Sequence, residues 1–266
     1  MEKLTIMTSV YNSKDYIDGF MENTVKQRKF DDCILLLLNC NSVDNYEGEV
    51  IDKYCEKFTN IVHYRHGTPT EDGKNRASLS VYGAWNFMIQ KVTTPYLMNA
   101  NTDDRFVTVD FLESAIKHLD DNQDIDLIYG PNIVIDSFET LKGFDQDDSS
   151  LWRTPLTLWP SAQYSPQTML SMNLPHCRPV WRASLHNRFG LFDEIYQSAA
   201  DWDFWIRCAF GHTDSGCVSP AKMEAFTNII GLYYNNPTGV STAFENMPRN
   251  LAEVNAVAKK WKGIYQ

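Results

Sequence analysis

No CxxC pair occurs in this chain, and its 6 cysteines (Cys33, Cys40, Cys55, Cys177, Cys208 and Cys217) show no metal-type spacing. That removes the cysteine-ligated metal sites from consideration. Cys33 and Cys55 fall on apolar faces, where a free thiol behaves as a small hydrophobe. Neither a Walker motif nor a GxGxxG is present, so phosphate binding by a glycine-rich loop has no support. No apolar stretch approaches the length of a membrane span, and because MEKLTIMTSVYN runs straight into a strand-like segment no signal peptide is expected. The expected compartment is therefore a reducing cytoplasm. Positive charge is also scarce: the net charge of −10 argues against a broad nucleic-acid surface and against a basic face for anionic lipid, while leaving room for a local basic groove. There are no internal repeats and no low-complexity segments.

What is present is a regular alternation through the first half. Leu4–Thr8 reads as a buried strand, after which Asn12-Ser13 offers a helix cap and Tyr16, Ile17, Phe20, Met21 and Val25 recur at helical spacing. Cys33–Leu38 is a short, continuous apolar run bounded by Asp32 and Asn39, the pattern of a strand covered on both faces. Val50, Ile51, Tyr54, Cys55 and Phe58 give a second helix, and Ile61–Tyr64 a third strand. A helix through Val81, Ala84, Trp85, Met88 and Ile89 ends at Pro95, before a fourth strand at Tyr96–Met98. A helix near Val109–Leu119 and a strand near Leu127–Ile135 complete the series. Such alternation implies an α/β fold with a mostly parallel sheet and helices on both faces. In those sheets ligands sit outside the carboxyl ends of the strands. Thr8, Tyr11 and Asn12, then Asn39 and Asn41, then Asn99, Asn101, Asp103 and Asp104 would share that rim.

The second half changes character. From Phe138 to Leu185 periodicity breaks down among Pro155, Pro160, Pro166, Pro175 and Pro179, interleaved with Trp152, Trp159 and Trp181. A long irregular stretch of this kind is functional or disordered, and its aromatics favour function. The acidic run at 145–148 reads as a solvated loop. Helices over Trp202–Phe210 and Leu251–Trp261 follow. The change of character divides the chain into 1–136 and 137–266, read as two halves of one domain.

Two constellations carry chemistry. In PYLMNANTDDRF an apolar strand ends in adjacent carboxylates, Asp103 and Asp104, which repel unless water or a cation accommodates them. A divalent-cation site and a turn-capping role are both consistent with that pattern. In SAADWDFWIRCAFG, Asp203 and Arg207 can pair at i, i+4, leaving Asp201 at the helix start as a cap or a base.

TIMTSVYNSKDYI, LLLLNCNSVDN, VYGAWNFMI, NTDDRF and AADWDFWIR occur in an order that resembles family 2 glycosyltransferases, from about Leu4 to about Ser241. The resemblance implies the GT-A nucleotide-sugar transferase fold, with 1–136 as the nucleotide-sugar-binding half and 137–266 as the acceptor-binding and catalytic-base half of the single domain. It implies that Thr8, Tyr11, Asn12, Asn39, Asn86 and Asn101 help bind the donor. Asp103 and Asp104 would hold Mn2+ or Mg2+, with Asp103 the more direct ligand and also in contact with the donor. Asp201 would be the catalytic base, and GLYYNNPTGVST (231–242) a loop closing over the donor diphosphate. Two positions depart from the family: Asn39 stands where a carboxylate usually receives the uracil N3–H, and Asn101 removes one charge from the metal motif. The implied activity is inverting transfer from a nucleotide-diphosphate sugar, UDP-linked, to a hydroxyl of a glycan or lipid-linked acceptor. A catalytically silent nucleotide-sugar or glycan-binding module and a nucleotidyltransferase are the alternatives. Trp159 or Trp181 could stack on a sugar face or fill core, His176 could meet the acceptor or bond to backbone, and Arg153 or Arg182 could meet a phosphate or only solvent.

Overall fold

The computed structural model describes residues 2–43, 45–67, 77–147 and 157–265. Leu4–Val10 (β1), Cys33–Asn39 (β2), Ile61–Arg65 (β3) and Tyr96–Asn99 (β4) lie parallel in the order β4-β1-β2-β3. Ile17–Val25 (α1), Tyr46–Cys55 (α2) and Val81–Ile89 (α3) connect them, and Phe111–Asp121 (α4) follows β4.

The leucine run of β2 shows why the sheet is apolar on both faces. Successive side chains point to opposite faces, so Leu36 and Leu38 join one buried cluster with Met7, Leu97 and Trp181. Leu35 and Leu37 join a second cluster with Leu4, Ile6, Met98 and Val180. Each fully buried leucine contributes on the order of 2 kcal/mol, and neither face is left to water.

The run read as one strand near Leu127–Ile135 is two. Leu127–Tyr129 (β5) stays in the main sheet, while Asn132–Ile135 (β6) enters a second, three-stranded sheet. Gly130 makes the crossing: a Cβ there would lie 2.9 Å from the Asn228 carbonyl and 3.0 Å from that of Phe226. Phe138–Lys142 (α5), Thr157–Trp159 (β7), Pro166–Met169 (α6) and Val180–Arg182 (β8) put order into the proline-rich middle. Strand β8 inserts antiparallel between β4 and β5, pairing Met98 with Val180 and Tyr96 with Arg182. Ser184–Phe189 (α7) and Ala200–Phe210 (α8) follow, then a small hairpin of His212–Thr213 (β9) and Gly216–Cys217 (β10). Met223–Ala225 (β11) completes the seven-stranded sheet, β11-β5-β8-β4-β1-β2-β3. Gly231–Tyr234 (β12) completes the order β12-β6-β7, and Met247–Tyr265 (α9) lies last. No helix among the described residues is long and apolar enough to cross a membrane.

The Asn12-Ser13 cap does not form. Helix α1 starts at Ile17 without a side-chain cap; Asn12 Oδ1 instead accepts from the Val43 amide at 3.1 Å, and the Ser13 amide donates to Glu47 at 2.6 Å. These bonds tie the loop after β1 to the segment after β2. Asp145 and Asp147 are exposed, as a solvated loop requires, and meet the exposed Lys26 at the end of α1 at 3.3 and 3.7 Å; Asp148 lies outside the described residues.

Candidate active site at the carboxyl rim

The parallel strands deliver their carboxyl ends to one rim, and antiparallel β8 delivers its amino end to the same place. Asn12 is exposed there, and Tyr11 is half-buried against the core. The backbone turns left-handed at Asn12 (φ 50°) and Asn41 (φ 67°), a conformation that asparagine tolerates better than most residues. Asn39 is buried at the end of β2 and its Oδ1 accepts from the Ser42 amide at 3.1 Å. Thr8 is not brought to the rim surface: it is fully buried in β1 and its hydroxyl has no partner among the described residues. Asn86 is also withheld. Its amide donates to the Phe192 carbonyl and to Glu194, and its Oδ1 accepts from the Phe192 amide, so it holds the 192–194 loop against α3.

The adjacent carboxylates are split by the fold. Asp103 is half-buried and its Oδ2 accepts from Asn236 Nδ2 at 2.9 Å, which brings the loop after β12 onto the motif. Asp104 turns inward, 1% exposed, with its Oδ2 3.7 Å from Nε of an equally buried Arg178. Burial pushes the Asp104 carboxyl up to about 7 despite the opposing pull of the Arg178 charge and a hydrogen bond from Asn101. The register of β8 explains the pairing: with Val180 opposite Met98, residue 178 reaches the segment that follows β4. The cation that faces Asp104 is thus an arginine of this chain. Arg105 is likewise buried, and donates to the Thr102, Asp104 and Tyr16 carbonyls.

Asp201 stands in the first turn of α8, whose amino-terminal dipole favours a negative charge. Tyr82 Oη donates to its Oδ1 and Asn173 Nδ2 to its Oδ2, each at 2.8 Å. Burial raises its pKa above the usual carboxylate range, and the two donors pull it partly back. The expected Asp203–Arg207 pair forms at 3.2 Å, and Asp203 also accepts from Lys260 at 2.7 Å and Trp261 at 2.8 Å.

One segment links the carboxylates. Asn173 holds Asp201, Arg178 faces Asp104, and Cys177 lies between them. The buried Cys177 thiol is pushed well above its ordinary pKa by burial and, further, by the charges of Asp104, Asp103 and Asp201. The acidic motif after β4 and the carboxylate of α8 therefore flank the same stretch of chain, although they are a hundred residues apart in sequence. Tyr82 and Asn236 lie within the quoted segments VYGAWNFMI and GLYYNNPTGVST but were not named individually, and Asn173 and Arg178 were not singled out from the sequence. None belongs to a charge pattern or an apolar stripe that marks it, and only tertiary register brings them here.

Among the described residues no group of three or more His, Cys, Asp or Glu side chains is placed to hold a metal. Asp103, beside the Asn236 amide, fits a hard divalent cation that takes its other ligands from phosphate and water; Asp104, enclosed with Arg178, does not. Trp181 is fully buried and belongs to the core, whereas Trp159 is 41% exposed. Arg182 donates through Nε to the Ile125 carbonyl, through Nη2 to the Leu119 and Asn122 carbonyls, and through Nη1 to the Tyr96 hydroxyl at 3.5 Å, so its guanidinium is engaged mainly in holding the chain around β8. Trp152 and Arg153 lie outside the described residues.

A mostly parallel sheet with acidic groups at its carboxyl rim and a second carboxylate on a later helix is the arrangement expected of a transferase with the GT-A fold. The model of the family "Glycosyl transferase family 2" matches residues 5–189, and the chain belongs to that family. It is similar to the PGL/p-HBAD biosynthesis glycosyltransferase of Mycobacterium bovis, 24% identical over 161 residues, covering 60% of this chain and 53% of that protein. The chain thus spans about half the length of that curated relative. The structure of S. aureus TarS residues 1–349 in complex with UDP superposes with a TM-score of 0.61 at 14% identity, over 97% of this chain and 70% of that one. Mannosyltransferase PcManGT from Pyrobaculum calidifontis, in complex with GDP-Man and Mn2+, gives 0.62 at 13% identity, over 97% of this chain and 64% of that one. These neighbours have the GT-A fold, as does this chain.

Proposed function

We propose that the protein is a glycosyltransferase that moves a sugar from a nucleotide-diphosphate donor, UDP-linked, to a hydroxyl of a glycan or lipid-linked acceptor with inversion. The observation that carries this reading is the placement of Asp201: a carboxylate fixed by Tyr82 and Asn173, raised in pKa, and joined by the 173–178 segment to the acidic motif after β4. The UDP and GDP-Man complexes of the structural neighbours support the donor class.

An alcohol is a weak nucleophile near neutral pH, so a base must accept its proton as it attacks. Asp201 takes that role, because its anchored oxygens keep lone pairs open and burial makes its conjugate acid less strong. Attack on the face opposite the leaving diphosphate inverts the anomeric centre. Asn12 and Asn39 meet the nucleoside end; the Asn39 amide oxygen accepts N3–H where the family commonly uses a carboxylate. Asp103 would hold the divalent cation, Mn2+ or Mg2+, and Asn101 and Asn236 shape its surroundings. When bound, the cation offsets charge on the departing diphosphate.

A thermal-shift panel of UDP-, GDP-, CMP- and dTDP-sugars with and without Mn2+ tests the donor assignment: stabilisation by a UDP-sugar that requires the metal is expected, and no response to any nucleotide would refute it. Asp201→Asn tests the base. Turnover should fall about a thousandfold with donor-induced stabilisation retained.

A further inference from the structure

Every described tryptophan except Trp159 is at most 7% exposed, while Trp159 is left 41% open on β7. It is also not isolated. Its ring centroid lies 4.0 Å from that of His176 and 6.0 Å from that of Tyr233, and His176 lies 6.2 Å from Tyr233. His176 is exposed and holds a backbone φ of 22°, a region that L side chains seldom enter. Strain of that kind at a non-glycine residue persists when the surroundings enforce it, and it concentrates at binding sites.

The cluster sits beside the candidate chemistry. His176 immediately precedes Cys177, which feels Asp104, Asp103 and Asp201, and it follows Asn173, which holds Asp201. Burial is the main influence on the Tyr233 hydroxyl, but it also feels Asp104 and Asp103. Its side in the fold is equally defined. Strand β12 carries Tyr233 and β7 carries Trp159, in the small sheet that meets the acidic motif through the Arg105–Leu232 bridge. The loops after β1 and β2 lie beyond β4 in the opposite direction along the main sheet. The aromatic cluster therefore flanks the site on the side away from the nucleoside loops.

We propose that Trp159, buttressed by the rings of His176 (tilted 52° to it) and Tyr233 (78°), offers its open face as a stacking platform for a pyranose ring of the acceptor. An aromatic plane matches the apolar C–H face of a pyranose, and an open-chain polyol presents no such face. The platform deepens the function proposed above, on which it rests, by assigning the acceptor hydroxyl to a ring sugar next to Asp201 and not to a polyol chain.

Fluorine NMR of the full chain labelled with 5-fluorotryptophan tests this directly, with the Trp159 resonance assigned from its loss in Trp159→Phe. Titration with methyl glucopyranosides and galactopyranosides should move that resonance saturably, while glycerol and ribitol leave it in place. Trp159→Ala should weaken the binding of the responsive pyranoside, followed by saturation transfer, about fivefold. A Trp159 resonance that no pyranoside moves, that polyols move equally, or that only a nucleotide sugar moves overturns the platform. Repeating the titration with Asp201→Asn separates the two readings. A persisting pyranoside response with turnover lost supports both, turnover retained in that variant refutes the base alone, and a silent resonance refutes the platform alone.

Discussion

Tyr82 reaches across from α3 to donate to Asp201, and with the Asn173 bond it opposes the rise that burial imposes on the pKa of the proposed base. A donor to the ionised form lowers a carboxyl pKa, so removing it raises the value further. Tyr82→Phe should move the acid limb of kcat/KM up by about one pH unit while leaving the alkaline side in place. A profile that drops uniformly at every pH would instead mark Tyr82 as packing only. Arg178 and Asp104 answer a different question. Both are 1% exposed, so removing either charge strands the other away from water. Arg178→Met should cost about 3–5 kcal/mol in urea unfolding, and Asp104→Asn in the same chain should recover most of that loss. Additive losses in the double variant would show that the two charges do not interact. The residue pattern left Asp103 and Asp104 alike, and only the family resemblance favoured Asp103 as the direct ligand. Which one turns inward was not legible, because that choice depends on the register of β8 eighty residues later.

At the scale of elements, Asp203 fastens α9 to α8. It is 1% exposed and accepts from Arg207 in its own helix and from Lys260 and Trp261 in α9. Glu253, also in α9, accepts from the backbone amides of Gln197 and Ser198 just ahead of α8. The terminal helix thereby braces the turn that presents Asp201. Asp203→Ala leaves a buried indole N–H unsatisfied and removes a buried ionic contact, at a cost of about 3 kcal/mol. Hydrogen exchange should report this as faster exchange across 247–265 before the main sheet responds; unchanged protection of α9 would contradict the bracing role. The i, i+4 link from Asp203 to Arg207 was legible because helix geometry fixes it. The links to Lys260 and Trp261 were not, since no local rule relates positions so far apart. The same contrast holds for the strands: the apolar runs of β1 to β4 announce themselves, whereas β8 hides among prolines and the Gly130-Pro131 step divides a run whose hydrophobicity continues.

Across the whole molecule the two halves of the chain share one sheet, because β8 and β11 from the second half flank β5 from the first. Alternation predicted the parallel half and its rim; the interleaving came from pairings that periodicity does not encode. His186 sits in the core that this interleaving creates, stacked 4.7 Å from Phe204 of α8. Its Nε2 accepts from the indole N–H of Trp181 in β8 at 3.0 Å, so its Nδ1 carries the proton and donates to the Gly190 carbonyl at 3.0 Å. Burial lowers its pKa to about 4, partly opposed by the Gly190 bond and reinforced by the charge of Arg207. The unfolded chain, with an ordinary histidine near pH 6.5, binds the proton first as the solution is acidified. Stability from this group is therefore complete above pH 6.5 and declines as pH falls toward 4, by about 3 kcal/mol in all. Urea midpoints between pH 7 and pH 4.5 should fall more steeply for the native chain than for His186→Gln, whose amide can still accept from Trp181 but takes up no proton. Because carboxylates contribute equally to both proteins, the difference between the two curves isolates the buried imidazole, and parallel curves would show that it does not link acidity to the stability of the shared core.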